Sequence, residues 1–369
     1  MSGDGDIAEI LKRARAFVAR GEDTAAEAAF VDILRRDPTQ LDALNELGNL
    51  AYRTRRRDAA RTAYEQAVRC HPRNPTVRVN LGNLLLESDD IAGARGQYEA
   101  ALATDPDFAP AHQGLARALT ELGERDAAEQ HFQKGFAGHA LLRQYRGTAP
   151  SVSVLLLVSA RGGNIQTANF LDDRVFEIAA LYAKFFDPAQ PLPPHILVFN
   201  AIGDADLCGE ALAKAEAIVA RSKAPFINPP TRVRVTGRAA NAQRLAAIAG
   251  VRAPLVRSLK RAALPAAREL RYPLLLRAPG FHTGRHFLRV ESAEDLATAA
   301  AGLPGDDLLA IEYLDARGAD AMARKYRVMI IDGVLHPLHL AISTDWKVHY
   351  FTASMAANAA YRAEERRFL

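Results

Sequence analysis

Along residues 7–140, apolar and small side chains return every three or four positions, the period of an amphipathic helix, and short polar stretches cut the pattern into helix-sized pieces. The pieces recur at a fixed step. Pro38, Pro72 and Pro106 stand 34 residues apart, as do the pairs Leu47-Gly48, Leu81-Gly82 and Leu115-Ala116. Ala26, Ala60, Ala94 and Ala128 keep the same step, and four residues after each comes an aromatic: Phe30, Tyr64, Tyr98 and Phe132. The pattern predicts paired helices. The small residue on the first helix admits the alanine face of the second, the aromatic fills the gap between them, and proline ends the pair. From Ser151 the period changes. Runs at 152–159, 195–200, 226–228, 254–259, 272–277, 287–290 and 307–313 read as strands. Helices are expected from Thr167 to about residue 186 and over 207–221, 237–249 and 291–302, with a last one in 356–369.

A 34-residue period with this Gly/Ala and aromatic spacing resembles the tetratricopeptide repeat, four copies over 7–140. Each hairpin leaves an apolar face that only a stacked neighbour covers, so such repeats form a superhelix with a concave groove. Asn45, Asn49, Asn80 and Asn83 fall on successive first helices, where amides suit the backbone of an extended peptide; the alternative is a set of solvated surface residues. The turn Arg53, Arg55, Arg56, Arg57 reads as a solvated inter-helix turn.

Composition divides the chain again. Of 369 residues 49% are hydrophobic, which excludes wholesale disorder, and no apolar run approaches the roughly 20 residues of a membrane helix. The expectation is a soluble, cytoplasmic protein whose two cysteines, Cys70 and Cys208, are reduced and packed. Residues 1–140 hold 18 basic against 22 acidic side chains, whereas 141–369 hold 29 against 21. Within 221–289 there are 15 basic residues and one acid, Glu269. Such a density points to a phosphate or polyanion, or else to a solvated basic face. Nucleic acid is disfavoured, since aromatics do not interleave with these charges.

The strand at 272–277 ends on Arg277 and leads into Ala278-Pro279-Gly280-Phe281-His282-Thr283-Gly284-Arg285-His286. Backbone amides in a glycine-bearing loop turn toward phosphate oxygens while a strand-end cation neutralises them. No Gly-x-Gly-x-x-Gly follows the first strand of this half, which argues against a dinucleotide-dependent oxidoreductase.

The order of Asn228-Pro229-Pro230, Asn241 with Arg244-Leu245, Gly250-Val251, Tyr272 to Arg277, Ile311-Glu312-Tyr313-Leu314 and Lys325 to Gly333 resembles the ATP-grasp superfamily over residues 150–355. The resemblance implies a multidomain α plus α/β chain. Its parts are the repeat superhelix over 7–140, a Rossmann-like pre-ATP-grasp layer over 151–235 and a partial ATP-grasp domain over 236–369. It implies that Arg277, His282, Thr283, Gly284 and Arg285 bind the ATP triphosphate, and that the adenine lies against Glu312, Tyr313 and Leu314. Lys325 and Arg327 would be catalytic, steadying charge in phosphoryl transfer. Plainer roles exist: Arg277 as a surface strand end, Glu312 as partner of Arg324 or Lys325, Arg327 as a solvated hairpin charge.

Mg²⁺ accompanies ATP in that superfamily, usually on a Glu-x-Asn strand, and the only acids after Asp320 are Asp332, Asp345, Glu364 and Glu365. The expected metal site is therefore incomplete, in a truncated or degenerate copy. His282 and His286 are too few to chelate a metal, and His336 and His339 have opposite parity if their run is a strand, which argues against their chelating together. Two functions follow as expectations. One is an ATP-dependent carboxylate–amine ligase working through an acyl-phosphate, with the repeats recruiting a peptide or protein and Trp346, His349 and Tyr350 meeting the acceptor. The other is a repeat-based protein-binding adaptor with an inactive nucleotide-binding-like half.

Overall fold

The computed structural model describes residues 3–147, 150–281, 284–350 and 353–369, in two compact units, Met1–Gly237 and Arg238–Leu369. In the first unit, eight helices of the described residues form four pairs: α1 (Gly3–Arg20) with α2 (Asp23–Arg36), α3 (Leu41–Arg53) with α4 (Arg57–Cys70), α5 (Pro75–Glu87) with α6 (Ile91–Thr104), and α7 (Ala109–Leu122) with α8 (Arg125–Phe136). Within each pair one turn residue is left-handed: Gly21 at φ +75°, Arg55 at +62°, Asp89 at +67° and Gly123 at +81°. These too are 34 apart, so the repeat is a backbone repeat as well as a side-chain one. Each proline stands just beyond a helix end, where its ring no longer meets a helical carbonyl. Starts are capped by side chains: Gln40 accepts from Ala43 N, Asn74 from Thr76 and Val77, and Asp90 from Gly93.

The arginine turn is not merely solvated. Arg56 pairs with Glu27 at 2.7 Å and Arg53 with Asp23, tying the second pair of helices to the first.

After α8 comes a five-stranded sheet of β1 (Leu141–Gln144), β2 (Val152–Val158), β3 (Phe176–Tyr182), β4 (Leu197–Asn200) and β5 (Phe226–Ile227), with α9 (Gly209–Arg221) before β5 and α10 (Pro230–Arg234) after it. The order is β1-β3-β2-β4-β5, parallel except for β1 at the edge. Here one expectation fails. The helix anticipated from Thr167 to about residue 186 is a 3-10 turn, Thr167–Asn169, followed by β3. A short apolar run does not by itself distinguish helix from strand; this one pairs along its length with β2 and again with β1. Its C-terminal end also closes the repeats. Tyr182 and Phe185 pack on Phe136 at ring separations of 4.3 and 5.0 Å, and Phe185 meets Phe132.

The second unit begins with α11 (Arg238–Ala246) and continues through β6 (Val256–Lys260), β7 (Leu274–Arg277), β8 (Phe287–Val290), α12 (Ala293–Ala301) and β9 (Asp307–Glu312). These strands make an antiparallel sheet of order β6-β9-β7-β8. One face carries Leu274, Leu276, Val290, Leu308 and Ala310 and is buried with Leu264, Leu296 and Ala300; on the other, Val256, Leu309 and Ile311 pack with Ala242 of α11. A two-stranded ribbon follows, β10 (Ala323–Ile331) and β11 (Val334–Ser343), then α13 (Ala359–Phe368). Leu340, Ile342 and Met355 form the small core between ribbon and helix, while the far half of the ribbon is open, with Ile330 68% and Leu335 66% exposed. No helix of the described residues is long and apolar enough to cross a membrane.

Candidate functional site

Two places gather the residues expected to bind something. In the repeats, Asn49 and Asn83 each follow the glycine of their helix, and each accepts a hydrogen bond from a core tyrosine: Tyr64 Oη to Asn49 Oδ1 at 2.8 Å and Tyr98 Oη to Asn83 Oδ1 at 2.9 Å. Glycine, asparagine and tyrosine therefore form one unit. A Cβ at Gly48 or Gly82 would strike the ring that the asparagine holds. Asn80 Nδ2 donates to Asn45 Oδ1 across 2.7 Å, joining α5 to α3. All four asparagines are half-buried, which corrects the reading of them as ordinary solvated residues. Among the described residues the Nδ2 groups of Asn45, Asn49 and Asn83 make no protein hydrogen bond and are available to a ligand.

Arg117 was missed. Its Nη2 donates to Asn83 Oδ1 at 2.8 Å, and among the described residues no carboxylate pairs with it. Arg15, Asn49, Asn83 and Arg117 lie on successive first helices at the step of 34, so the repeat period itself carried the signal.

The second place is the sheet of the second unit. Strand register puts Arg277 opposite Phe287, and Leu275 opposite Arg289, all on one face with Leu309 and Ile311. The Arg277 guanidinium lies 5.5 Å from the centroid of Phe287 and donates to Phe281 O; that of Arg289 lies 4.3 Å from Tyr313. Gly280 at φ +88° and Gly284 at +79° shape the loop, and Ala278 N donates to His286 O to close it. His282 and Thr283 lie outside the described residues. His286 packs against Phe281 at 4.3 Å.

Glu312 is separated from Arg277. It is in register with Leu274, on the opposite face, where its Oε2 accepts from Leu255 N at 3.0 Å. Nor does it pair with Arg324, which binds Asp320 at 2.7 Å and Glu364 at 2.6 Å. Around Glu312 lies a cavity of about 300 Å³, lined also by Arg257, Leu270, Leu274 and Ile311.

A segment after β11 touches both the glycine-bearing loop and the ribbon. Trp346 meets Phe287 edge-on at 5.3 Å, and Lys347 Nζ donates to Gly284 O at 3.0 Å. Val348 O accepts from Lys325 Nζ at 3.5 Å, and Tyr350 packs on His339, the register partner of Arg327. Burial and then the charge of Arg327 hold the His339 ring below its ordinary pKa. Lys325 and Arg327 thus share one ribbon face, opposite the Arg324 side that α13 covers. Parity along β8 puts 287 and 289 on one face, but their register with Arg277 and the contact to Lys347 have no local signal in the sequence.

Part of the basic window is structural. Arg234 pairs with Glu216, Lys260 with Asp307 and Arg289 with Glu291, and Arg261 donates to the carbonyls of Ala300, Leu303 and Gly305 at the end of α12. Among the described residues no three His, Cys, Asp or Glu side chains converge as a cation site. In the first unit, the turns that follow β2 and β4 are tied together by the Gly203 and Asp204 amides, which donate to Gly163 O.

Tetratricopeptide-repeat family profiles match residues 11–75 and 85–140. No curated protein matches the chain. Among solved structures it is similar to MamA (21% identity, TM-score 0.33, covering 37% of this chain and 79% of that one). It is also similar to MamA from Desulfovibrio magneticus RS-1 (18%, 0.32, 35% and 73%) and to a tetratricopeptide repeat protein from Parabacteroides merdae ATCC 43184 (24%, 0.33, 36% and 53%). The profiles, with the paired helices and their period, make α1 to α8 tetratricopeptide repeats.

Proposed function

We propose that the repeats dock an extended segment of a partner protein and that the second unit binds ATP by its phosphates. The observation that carries the second part is a pair of cations near the end of β7: Arg277, on the strand itself, donates to Phe281 O, and Lys347, from a distant segment, donates to Gly284 O. Two cations and left-handed glycines at one loop are what a polyphosphate requires. The resemblance to ATP-grasp proteins adds Glu312, Tyr313 and Leu314 for the base; of these Tyr313 stacks under the Arg289 guanidinium, whereas Glu312 faces away from Arg277. Arg285 belongs to the same loop.

For the ligase reading, Lys325 and Arg327 on one ribbon face would oppose the charge that builds up on a transferred phosphoryl group. The described residues do not fit a protein-held Mg²⁺, so no step is assigned to the metal. The second reading is an adaptor whose α/β half binds nucleotide without turning it over.

For the repeats, the free amides of Asn45, Asn49 and Asn83 suit a peptide backbone, and Arg117 suits an acidic side chain on the peptide. Titration calorimetry of the whole chain with ATP tests the nucleotide half. Binding that Arg277→Met weakens at least tenfold is the expected result, from loss of a charge-assisted contact. Equal heats for both proteins, or none for the wild type, would sink it. A phosphate-release assay on the same samples separates ligase from adaptor.

A further inference from the structure

The third and fourth helix pairs fill one slot with different chemistry. In the third, Arg78 Nε donates to Pro72 O at 2.7 Å and its Nη1 to Gln97 Oε1 at 3.0 Å, tying α5 to α6. One period of 34 further on, Pro106 replaces Pro72, His112 replaces Arg78 and His131 replaces Gln97. His112, only 4% exposed, sets its Nε2 2.9 Å from Pro106 O and its Nδ1 2.7 Å from His131 Nδ1. In the second pair the slot holds buried Leu44 and Ala63, so the repeat itself does not call for a titratable group there.

The acceptors fix the protons. A carbonyl only accepts, so His112 Nε2 carries hydrogen, its Nδ1 offers a lone pair, and His131 Nδ1 donates to it. That leaves His131 Nε2 as the place for one added proton. A second would enter at the shared contact, set N–H against N–H and part the rings. Arginine with glutamine undergoes neither step. The surroundings resist even the first proton: burial, then the neighbouring His112 and Lys134 of α8, hold the His131 ring below its ordinary pKa, while Glu99 of α6, itself bound to Arg95 at 2.7 Å, pulls the other way. His112 stands near the start of α7, the positive end of that helix, and in the turn before it Asp105 is engaged by the Asp107 amide at 3.2 Å.

We propose that His112 and His131 form a proton-responsive latch between α7 and α8, closed near neutral pH and opened by mild acidification. The latch joins the helix that carries Arg117 to the helix whose Phe132 and Phe136 pack on Phe185, so its opening loosens the last repeat toward both the groove and the sheet. The fold disfavours a proton that the unfolded chain accepts. Its contribution to stability is therefore full above the unfolded value, about 6.5, and declines as pH falls below it.

Hydrogen exchange of the whole chain at pH 7.5 and 5.5, corrected for the intrinsic effect of pH on exchange, reads the latch helix by helix. In the wild type, protection of α7 and α8 is expected to fall severalfold at pH 5.5 while α5 and α6 keep theirs. His112→Arg with His131→Gln gives the fourth pair the chemistry of the third, and its protection is expected to be the same at both pH values. Glu129 is ionised throughout this range, since its carboxyl is held at about 2, and does not confuse the reading. Wild-type protection that ignores pH, or an equal fall in the double variant, overturns the latch. Should the double variant fail to fold by circular dichroism, an imidazole NMR titration of the wild type decides: a His131 midpoint below 6.5 supports the latch and an ordinary or raised one overturns it. No partner enters the experiment, so its failure leaves the docking reading of the repeats standing.

Discussion

Tyr98 lies between Gly82 on α5 and Gly114 on α7, and a Cβ at either glycine would enter its ring. Burial raises its hydroxyl pKa to about 12, so it remains a donor to Asn83 at any physiological pH. One aromatic therefore sets the approach of two repeats and orients an amide of the groove. Gly114→Val is expected to destabilise the protein by about 1–3 kcal/mol through overpacking, measured by urea unfolding. Stability equal to wild type would mean that the ring has room to move. The sequence singled out Asn83, but not its bond to Tyr98, because the partner lies on another helix. Glu312 and Arg277 show the converse: the sequence reading put both at one site, yet register puts them on opposite faces of one sheet.

At the scale of elements, the junction between repeats and sheet depends on Glu129 of α8. It binds Lys184 at 2.6 Å and Arg161 at 2.5 Å, and Lys184, only 12% exposed, also binds Glu210 at 2.8 Å. Burial pushes the Glu129 carboxyl pKa up, but hydrogen bonds from Lys184, Arg161 and Gln133 outweigh that and hold it at about 2. A carboxyl whose pKa is lowered on folding stabilises the fold fully above its unfolded value, about 4.3, and loses that contribution as pH falls toward 2. Glu129→Gln is thus expected to cost roughly 2 kcal/mol at pH 7, with the gap from wild type closing on acidification below pH 4. Thermal melts across pH 3–7 measure this; a gap independent of pH would refute the ionic role. The helices of this junction were readable from their period, since helical hydrogen bonds are local. Strand β3 was not, because its identity comes from its pairing with β2 and β1.

Over the whole molecule, the five-stranded sheet belongs with the repeats in one compact unit, and Arg238–Leu369 form another. Calorimetry is expected to resolve two transitions, of which ATP raises only the one belonging to residues 238–369. A single transition that shifts as a whole would show that the units do not unfold independently. By itself the sequence determined the repeats, their turns and their glycine–aromatic contacts, because each depends on residues within one 34-residue period. It also located the basic half and the glycine-bearing loop. Only the tertiary structure decided which basic side chains are spent on Glu216, Asp307 and the end of α12, and which remain at the loop. It alone brought Trp346 and Lys347 to Phe287 and Gly284, some sixty residues away along the chain. The physical reason is the same in each case: a contact made across a sheet or between loops leaves no period in the sequence of either partner.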